Sequence, residues 1–334
     1  MRFTLPYKYF CIITSPFSIL ASIKPPSTTP CQIIFITGNR MYCRQRCPQD
    51  KVVAICGATG AGKSRLSIDI ATRIPSEIVN SDKIQVNKGL NITTNKISIE
   101  ERRGVPHHLL GEIDSALYGE LTPFQYRLLA SKVISNIISR GKLPLIVGGS
   151  NSLIYALLSN RFNPDSDIFS GKDSVCSELK YRCCFIWIDV SLPVLNQYLV
   201  KRVDDMLDSG MLDELAEFYK SEINTMKVNC GLTRAIGVPE FERYFRYGCK
   251  EGNDSVREGL YDEAVRNIKD NTCQLAKTQI EKIQRLQNGG WCLNRIDGTD
   301  SFRAVLEGSK SWSDIWQKQV IEPSMKIVNS FLNE

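Results

Sequence analysis

Residues 57–64 read Gly57-Ala58-Thr59-Gly60-Ala61-Gly62-Lys63-Ser64, and this short stretch restricts the fold more than any other part of the chain. The pattern is G-x-x-x-x-G-K-[ST], a phosphate-binding loop. Its glycines let backbone N–H groups close around phosphate oxygens. The following helix N-terminus adds positive potential, the lysine a point charge, and the serine a hydroxyl suited to Mg²⁺. Such a loop needs a strand before it and a helix after it. Val52–Cys56 is a short apolar run, and Lys63–Ile74 carries Leu66, Ile70 and Ile74 at helical spacing, so both conditions are met.

The alternation continues. Glu77–Asn80, Leu143–Val147 and Cys183–Val190 read as further strands, with helices over Phe124–Ser139 and Ser152–Leu158. Strand and helix in turn predict an α/β fold, a parallel sheet flanked by helices in the manner of P-loop NTPases. After Val190 the pattern turns helical. Val203, Met206, Leu207, Met211, Leu212, Leu215 and Phe218 form one apolar stripe. Val265, Ile268, Leu275, Ile280, Ile283 and Leu286 form a second, closed by Gly289-Gly290. We therefore expect an α/β core over 50–200 and a smaller, mainly helical lobe over 201–334.

The net charge of +6 belongs to the leader. Residues 1–49 hold Arg2, Lys8, Lys24, Arg40, Arg44 and Arg46 and no acidic residue, which leaves 36 basic residues against 36 acidic ones beyond them. No basic surface for nucleic acid is evident in that neutral remainder. An acid-poor, basic, hydroxyl-rich leader has the composition of an organellar transit peptide, for a plastid first, with mitochondrion or cytoplasm as alternatives. Its apolar run Tyr9–Ile23 is broken by Ser15-Pro16 and Ser18, too interrupted for a membrane span. The twelve cysteines include no C-x-x-C pair and the chain has two histidines, which argues for reduced thiols and against a zinc site.

The loop alone does not fix the reaction. A kinase would bind ATP there and transfer its terminal phosphoryl group, whereas another enzyme would hold a pyrophosphate leaving group. The second strand ends in Asn80-Ser81-Asp82-Lys83, and ligands of parallel sheets sit at strand carboxyl ends. From position alone Asp82 is equally a Mg²⁺ ligand, a cap for the next helix, or a general base.

At these residues the sequence resembles the isopentenyltransferase family. The likeness is carried by Asn80–Leu90 with Thr93–Lys96, Gly104–Gly111, Leu143–Ser152, Cys183–Val190, Arg202–Glu214 and Ala235–Glu240, and it runs from Lys51 to about Phe331. It is strongest to the plant adenylate isopentenyltransferases, the cytokinin-forming branch. The resemblance implies that Gly57–Ser64 grips the diphosphate of dimethylallyl diphosphate with Mg²⁺, held in part by Ser64. It implies that adenine N6 of ATP, ADP or AMP attacks the allylic carbon while Asp82 takes its proton. Lys63, Ser64, Arg202 and Arg234 would stabilise the departing pyrophosphate.

Further contacts follow from the same likeness. Gly149, Ser150 and Asn151 end a strand where backbone meets ligand, or else form a capped turn. Thr93 and Asn95 stand at positions of nucleotide contact. His107-His108 is a family landmark, for which we expect one buried, hydrogen-bonded histidine. Asp189 is expected to cap the helix that follows, with a supporting place behind a metal as the alternative. Asn87 stands where the family usually has tyrosine, a loss of stacking area if that side chain faces the acceptor.

Three rivals remain at this level, one of them a catalytically silent binding protein, raised mainly by Asn87. The tRNA-modifying branch needs a basic path for RNA, and its eukaryotic members often carry a Cys₂His₂ unit. Trp291–Glu334 has one cysteine and no histidine. A small-molecule kinase would form ADP without any prenyl donor.

Overall fold

The structure is a computed structural model that describes residues 49–115, 119–171, 173–225, 231–247 and 254–334. The leader, and the targeting expectation attached to it, lies outside the described residues.

The strand before the loop is β1 (Lys51–Gly57), and the loop opens α1 (Lys63–Ala71). Then follow β2 (Ser76–Asn80), a two-residue β3 (His107–His108), α2 (Pro123–Ser139), β4 (Leu143–Val147), α3 (Asn151–Leu158) and β5 (Arg182–Asp189). The start of α2 is written in its sequence: Thr122 and Gln125 form a reciprocal capping box, with Pro123 in the first turn. The strands of the sheet pair in parallel, in the order β3-β2-β4-β1-β5-β6, with β6 (Leu293–Asp297) at the far edge.

Because parallel sheets are covered on both faces, β1 reads as a continuous apolar run rather than an alternating one. Val52, Ala54 and Cys56 pack with Tyr126, Ala130, Ile134 and Ile137 of α2 on one face. Val53 and Ile55 pack with Leu66 and Ile70 of α1 on the other.

The expected lobe is mainly helical, and one strand within it is not foreseen by the sequence pattern. Beyond α4 (Leu192–Asp208), α5 (Met211–Thr225), α6 (Val238–Tyr247) and α7 (Asp254–Asn288), the chain returns as β6 (Leu293–Asp297) beside β5. Leu293-Asn294-Arg295-Ile296-Asp297 holds only two apolar residues, of which Ile296 alone is buried, as suits an edge strand and as hides it from a periodicity search. Three further segments follow: α8 (Thr299–Leu306), α9 (Trp312–Trp316) with a π-helical turn over Gln317–Ile321, and α10 (Glu322–Asn333). Trp316, Val320, Val328 and Phe331 complete the apolar layer over the α1 face.

The helical lobe has its own core, in which Val203, Met211, Leu215, Val238, Phe241 and Ile268 meet. Helix α7 has 35 residues, about 52 Å at the usual rise. Its first half packs in the lobe through Leu260, Ala264 and Ile268, its second against the sheet layers through Ala276, Ile283 and Leu286.

Candidate active site

A cleft of about 1270 Å³ runs along the carboxyl ends of the strands, where Thr59, Gly60, Gly62, Lys63, Ser64 and Asp82 all line it. Gly60 and Gly62 hold φ of 78° and 89°, a region that costs a side chain free energy. Space excludes a side chain too: a Cβ on Gly60 would lie 2.6 Å from Leu199, and one on Gly62 2.5 Å from the ring of Trp316. The ammonium of Lys63 donates to the Ala58 carbonyl at 2.7 Å, folding back over the loop. Burial lowers its pKa to about 8, against the opposing pull of the Asp82 carboxylate. A half-buried lysine so placed gains from an arriving anion. Ser64, the next residue, is exposed and lines the same cleft.

Asp82 follows β2 directly. Its Oδ1 accepts from the backbone N–H groups of Ile84 at 3.0 Å and Gln85 at 3.2 Å, so it caps the turn after the strand. Neither bond engages Oδ2, and the residue lines the cleft. Of the roles open at the sequence level the structure shows the cap, made by one oxygen, while the other takes no part in it.

The turn after β4 presses on the same place. A Cβ on Gly148 would sit 2.1 Å from the Ser81 carbonyl oxygen, so only glycine lets the two strand ends meet. Gly149 lines the cleft. Ser150 Oγ accepts from Lys83 N–H at 2.8 Å, and the buried Asn151 donates through Nδ2 to the Gln279 carbonyl at 3.0 Å. Ser150 and Asn151 thus shape the turn; of this group the structure sets only the glycines on the cleft wall.

Among the remaining expected contacts, Arg202 of α4 reaches the loop. It lines the cleft and donates from Nη2 to Thr59 Oγ1 at 3.2 Å, while its Nε is buried without a partner. Arg234 stands apart: its side chain is 70% exposed and pairs with Glu120 at 2.8 Å, and Glu120 also takes Lys83. Thr93 is buried and held by Glu214, whose Oε2 accepts from its N–H and its hydroxyl at 2.7 Å each. Asn95 lines the cleft with a left-handed φ of 51°.

Asp189 and the histidine pair depart from expectation, and Asn87 turns away from the cleft. Asp189 does not cap α4: its Oδ2 takes the Arg295 guanidinium of β6 at 2.6 Å, and the Ser191 N–H donates instead to Thr299 Oγ1 at 2.9 Å. Both partners lie more than a hundred residues away. His107 and His108 are each half-buried rather than one being buried. His107 Nδ1 bonds the Val105 carbonyl, and His108 Nε2 bonds the buried carboxylate of Glu77 at 2.7 Å. That carboxylate also takes Arg140 and Lys142; burial alone would raise its pKa, but these three partners hold it at about 2. Asn87 is buried beneath the loop after β2, bonded to the Ile84 carbonyl at 3.1 Å and facing Gly231 rather than lining the cleft.

Sequence reasoning missed several cleft residues. Lys96 enters from the segment after β2, its pKa lowered by burial to about 8 against the opposing pull of Glu214 and Asp82. Tyr198, Phe302, Trp312 and Trp316 supply aromatic walls. Arg65 lies over the Trp312 ring at 4.2 Å, a cation–π contact that follows Ser64 directly in sequence. Tyr198 and Phe302 show as core residues in the sequence and carry no signal of this role. Among the described residues, no group of three or more His, Cys, Asp or Glu side chains could hold a metal ion.

Residues 85–174 and 166–285 match the family model for IPP transferase. The chain belongs to the IPP transferase family. Within that family it is 56% identical over 296 residues to adenylate isopentenyltransferase of Humulus lupulus, covering 84% of this chain and 90% of that one. It is 53% identical to the chloroplastic adenylate isopentenyltransferase 1 of Arabidopsis thaliana, over 86% of this chain and 83% of that one. A mitochondrial relative of the same plant, adenylate isopentenyltransferase 7, is 45% identical over 86% of this chain and 82% of its own. The fold matches a eukaryotic dimethylallyltransferase acting on tRNA with a TM-score of 0.67 at 25% identity, over 85% of this chain and 80% of that one. It also matches a tRNA isopentenylpyrophosphate transferase of Staphylococcus epidermidis with a TM-score of 0.64 at 20% identity, over 84% of this chain and the whole of that one, which speaks to the fold alone. In this IPP transferase the matched span holds Lys96, Gly149 and Arg202, while Asp82 and the Gly57–Ser64 loop precede it.

Proposed function

We propose that the chain transfers the dimethylallyl group of dimethylallyl diphosphate to N6 of adenine in ATP or ADP, with AMP a possible third acceptor, the first step of cytokinin synthesis. The observation that carries this reading is Asp82: one carboxylate oxygen is fixed by two backbone N–H groups while the residue faces a cleft floored by the Gly57–Ser64 loop. The adenylate isopentenyltransferases that share about half of its residues support the choice of acceptor.

The donor's diphosphate rests on the loop N–H groups and Lys63, with its allylic carbon toward Asp82. The N6–C bond forms as the allylic C–O bond breaks, and the electron pair leaves with pyrophosphate. The N6 proton passes to Asp82, since an aromatic amine is a weak nucleophile that gains from a base in the transition state. Lys63 and Arg202 meet the charge that grows on the leaving group, where fixed cations act most strongly. Arg234 acts from the rim, through Glu120 and Lys83, on the turn that carries Asp82. Lys96 and Asn95 line the acceptor side, and Thr93 orders that segment through Glu214.

An exposed Ser64 in the cleft fits Mg²⁺, which binds through few protein ligands and the oxygens of substrate phosphates. When bound it neutralises charge on the diphosphate.

The formally neutral remainder of the chain beyond residue 49 supports a free nucleotide over RNA. We place the protein in the plastid, with the mitochondrion as the alternative, as the relatives named chloroplastic and mitochondrial support. No helix among the described residues is long and apolar enough to cross a membrane. The test is prenyl transfer to ATP, ADP, AMP and tRNA measured side by side. Transfer to free nucleotides is expected; activity on tRNA alone, or ADP formation without a prenyl donor, overturns the reading.

A further inference from the structure

Helix α7 buries two polar side chains, Thr272 and Gln279, in its apolar stripe. Thr272 satisfies itself one turn back, donating to the Ile268 carbonyl at 2.7 Å. Gln279 does not. Its Oε1 accepts from the backbone N–H of Thr59, 220 residues earlier, at 2.6 Å. Its backbone carbonyl receives the Asn151 side chain at 3.0 Å. Its amide also fills the space beside Gly149, where a Cβ would lie 2.5 Å from Nε2. A carboxamide buried among apolar residues costs free energy unless its hydrogen bonds are made, so its place is set by these remote partners.

Thr59 is held a second time, from another helix: Arg202 of α4 donates to its hydroxyl. The third residue of the loop is thus fixed through backbone and side chain by the two helices that lead from the lobe to the sheet. Its N–H, given to Gln279, is withdrawn from the set open to a phosphate.

The geometry points to Gln279 as a positioning residue for the Gly57–Ser64 loop. Its carboxamide oxygen presets the loop's curvature, so that the N–H groups after Thr59 stand ready for the donor's diphosphate. The inference rests on the reading of that loop as the donor site. It assigns to mid-α7 a part in donor binding that is separate from acceptor binding.

Steady-state kinetics on the full chain test it, with each substrate varied at saturation of the other. Q279M keeps the length of the side chain and removes the acceptor oxygen. We expect its donor KM to rise tenfold or more while the KM for ATP moves less than twofold. Q279E keeps an acceptor for Thr59 but sets a negative charge beside the loop, and its donor KM should rise more at low salt than at high salt. A donor KM within twofold of the unaltered chain in Q279M, or equal rises for donor and ATP, overturns the inference. Should Q279M fail to fold, amide exchange in the unaltered, ligand-free chain gives the answer. Exchange at the Thr59 N–H as slow as in β1 is expected, and exchange as fast as in residues 97–103 refutes the bond. The unaltered chain separates this inference from the functional reading: if it transfers no prenyl group the function fails, whereas normal transfer with an unmoved donor KM in Q279M refutes Gln279 alone.

Discussion

The indole N–H of Trp316 donates to Oδ2 of the buried Asp69 at 3.0 Å, and this bond holds the aromatic ring against the bare Cα of Gly62. Asp69 lies in α1, the helix that the loop opens, so a residue near the carboxyl terminus braces both the loop and its helix. The π-helical turn begins immediately after Trp316, a kind of irregularity often found at functional sites.

Removing either side of this brace should therefore weaken the fold and the donor site together. W316A deletes a nearly fully buried ring and should cost about 3–5 kcal/mol in chemical denaturation. G62A combines a left-handed φ of 89° with a Cβ 2.5 Å from that ring. It should raise the donor KM by tenfold or more. A G62A protein with an unchanged donor KM would mean that the loop does not hold the diphosphate.

The two oxygens of Asp82 allow its roles to be separated. In D82N the carboxamide oxygen still caps Ile84 and Gln85, so melting temperature should stay within a few degrees while kcat falls about 10²–10⁴-fold, the usual worth of a general base. D82A loses cap and base, and should also lose about 0.5–2 kcal/mol of stability. Isothermal binding of the donor should survive in D82N. Retained kcat in D82N would remove Asp82 from the chemistry.

The contrast between Asp82 and Gln279 marks how far a linear sequence speaks. The loop, the end of β2 and the turn after β4 were legible because each is a local pattern: glycines at fixed offsets, an apolar run, a carboxylate where a parallel strand ends. The resemblance added Thr93 and Asn95 after β2, and Arg202 and Arg234 beyond residue 200, as candidates. What stayed hidden is made of contacts between remote segments. Gln279 looks like one more polar residue on a long helix until Thr59 is seen beside it. Asp189 sits in the right place for a cap, but Arg295 of β6 outcompetes that role with a charged partner whose Nε and Nη2 both meet Oδ2. β6 itself has too few apolar residues to announce a strand and exists because β5 offers an edge.

Lys63 should set the alkaline limit of donor use. Burial lowers its pKa from 10.5 to about 8, and only its charged form attracts the diphosphate. Below pH 8 the lysine is protonated and the interaction is fully present; as pH rises through 8 the free protein loses that charge. kcat/KM for the donor should accordingly fall about tenfold per pH unit above that point. Lys96 titrates in the same range. A descending limb that persists in K96Q assigns it to Lys63, and a limb that vanishes assigns it to Lys96.

The two arginines that the sequence placed side by side as charge stabilisers should part company in kinetics. Arg202 is tied to Thr59, lines the cleft and carries a buried, unpartnered Nε. R202A removes that cation from beside the loop and should lower kcat/KM for the donor about 10²-fold, a loss of about 2.7 kcal/mol. Arg234 reaches the site only through Glu120 and Lys83, with 70% of its side chain in solvent. Exposed ion pairs contribute about 0–1 kcal/mol. R234A should therefore lower kcat/KM about two- to five-fold, with the loss shrinking at high salt. Measuring both variants in 0.05 and 0.5 M salt decides the matter, because a buried cation facing the leaving group is screened far less than a rim pair. Equal losses with equal salt dependence would show that Arg234, too, meets the pyrophosphate directly.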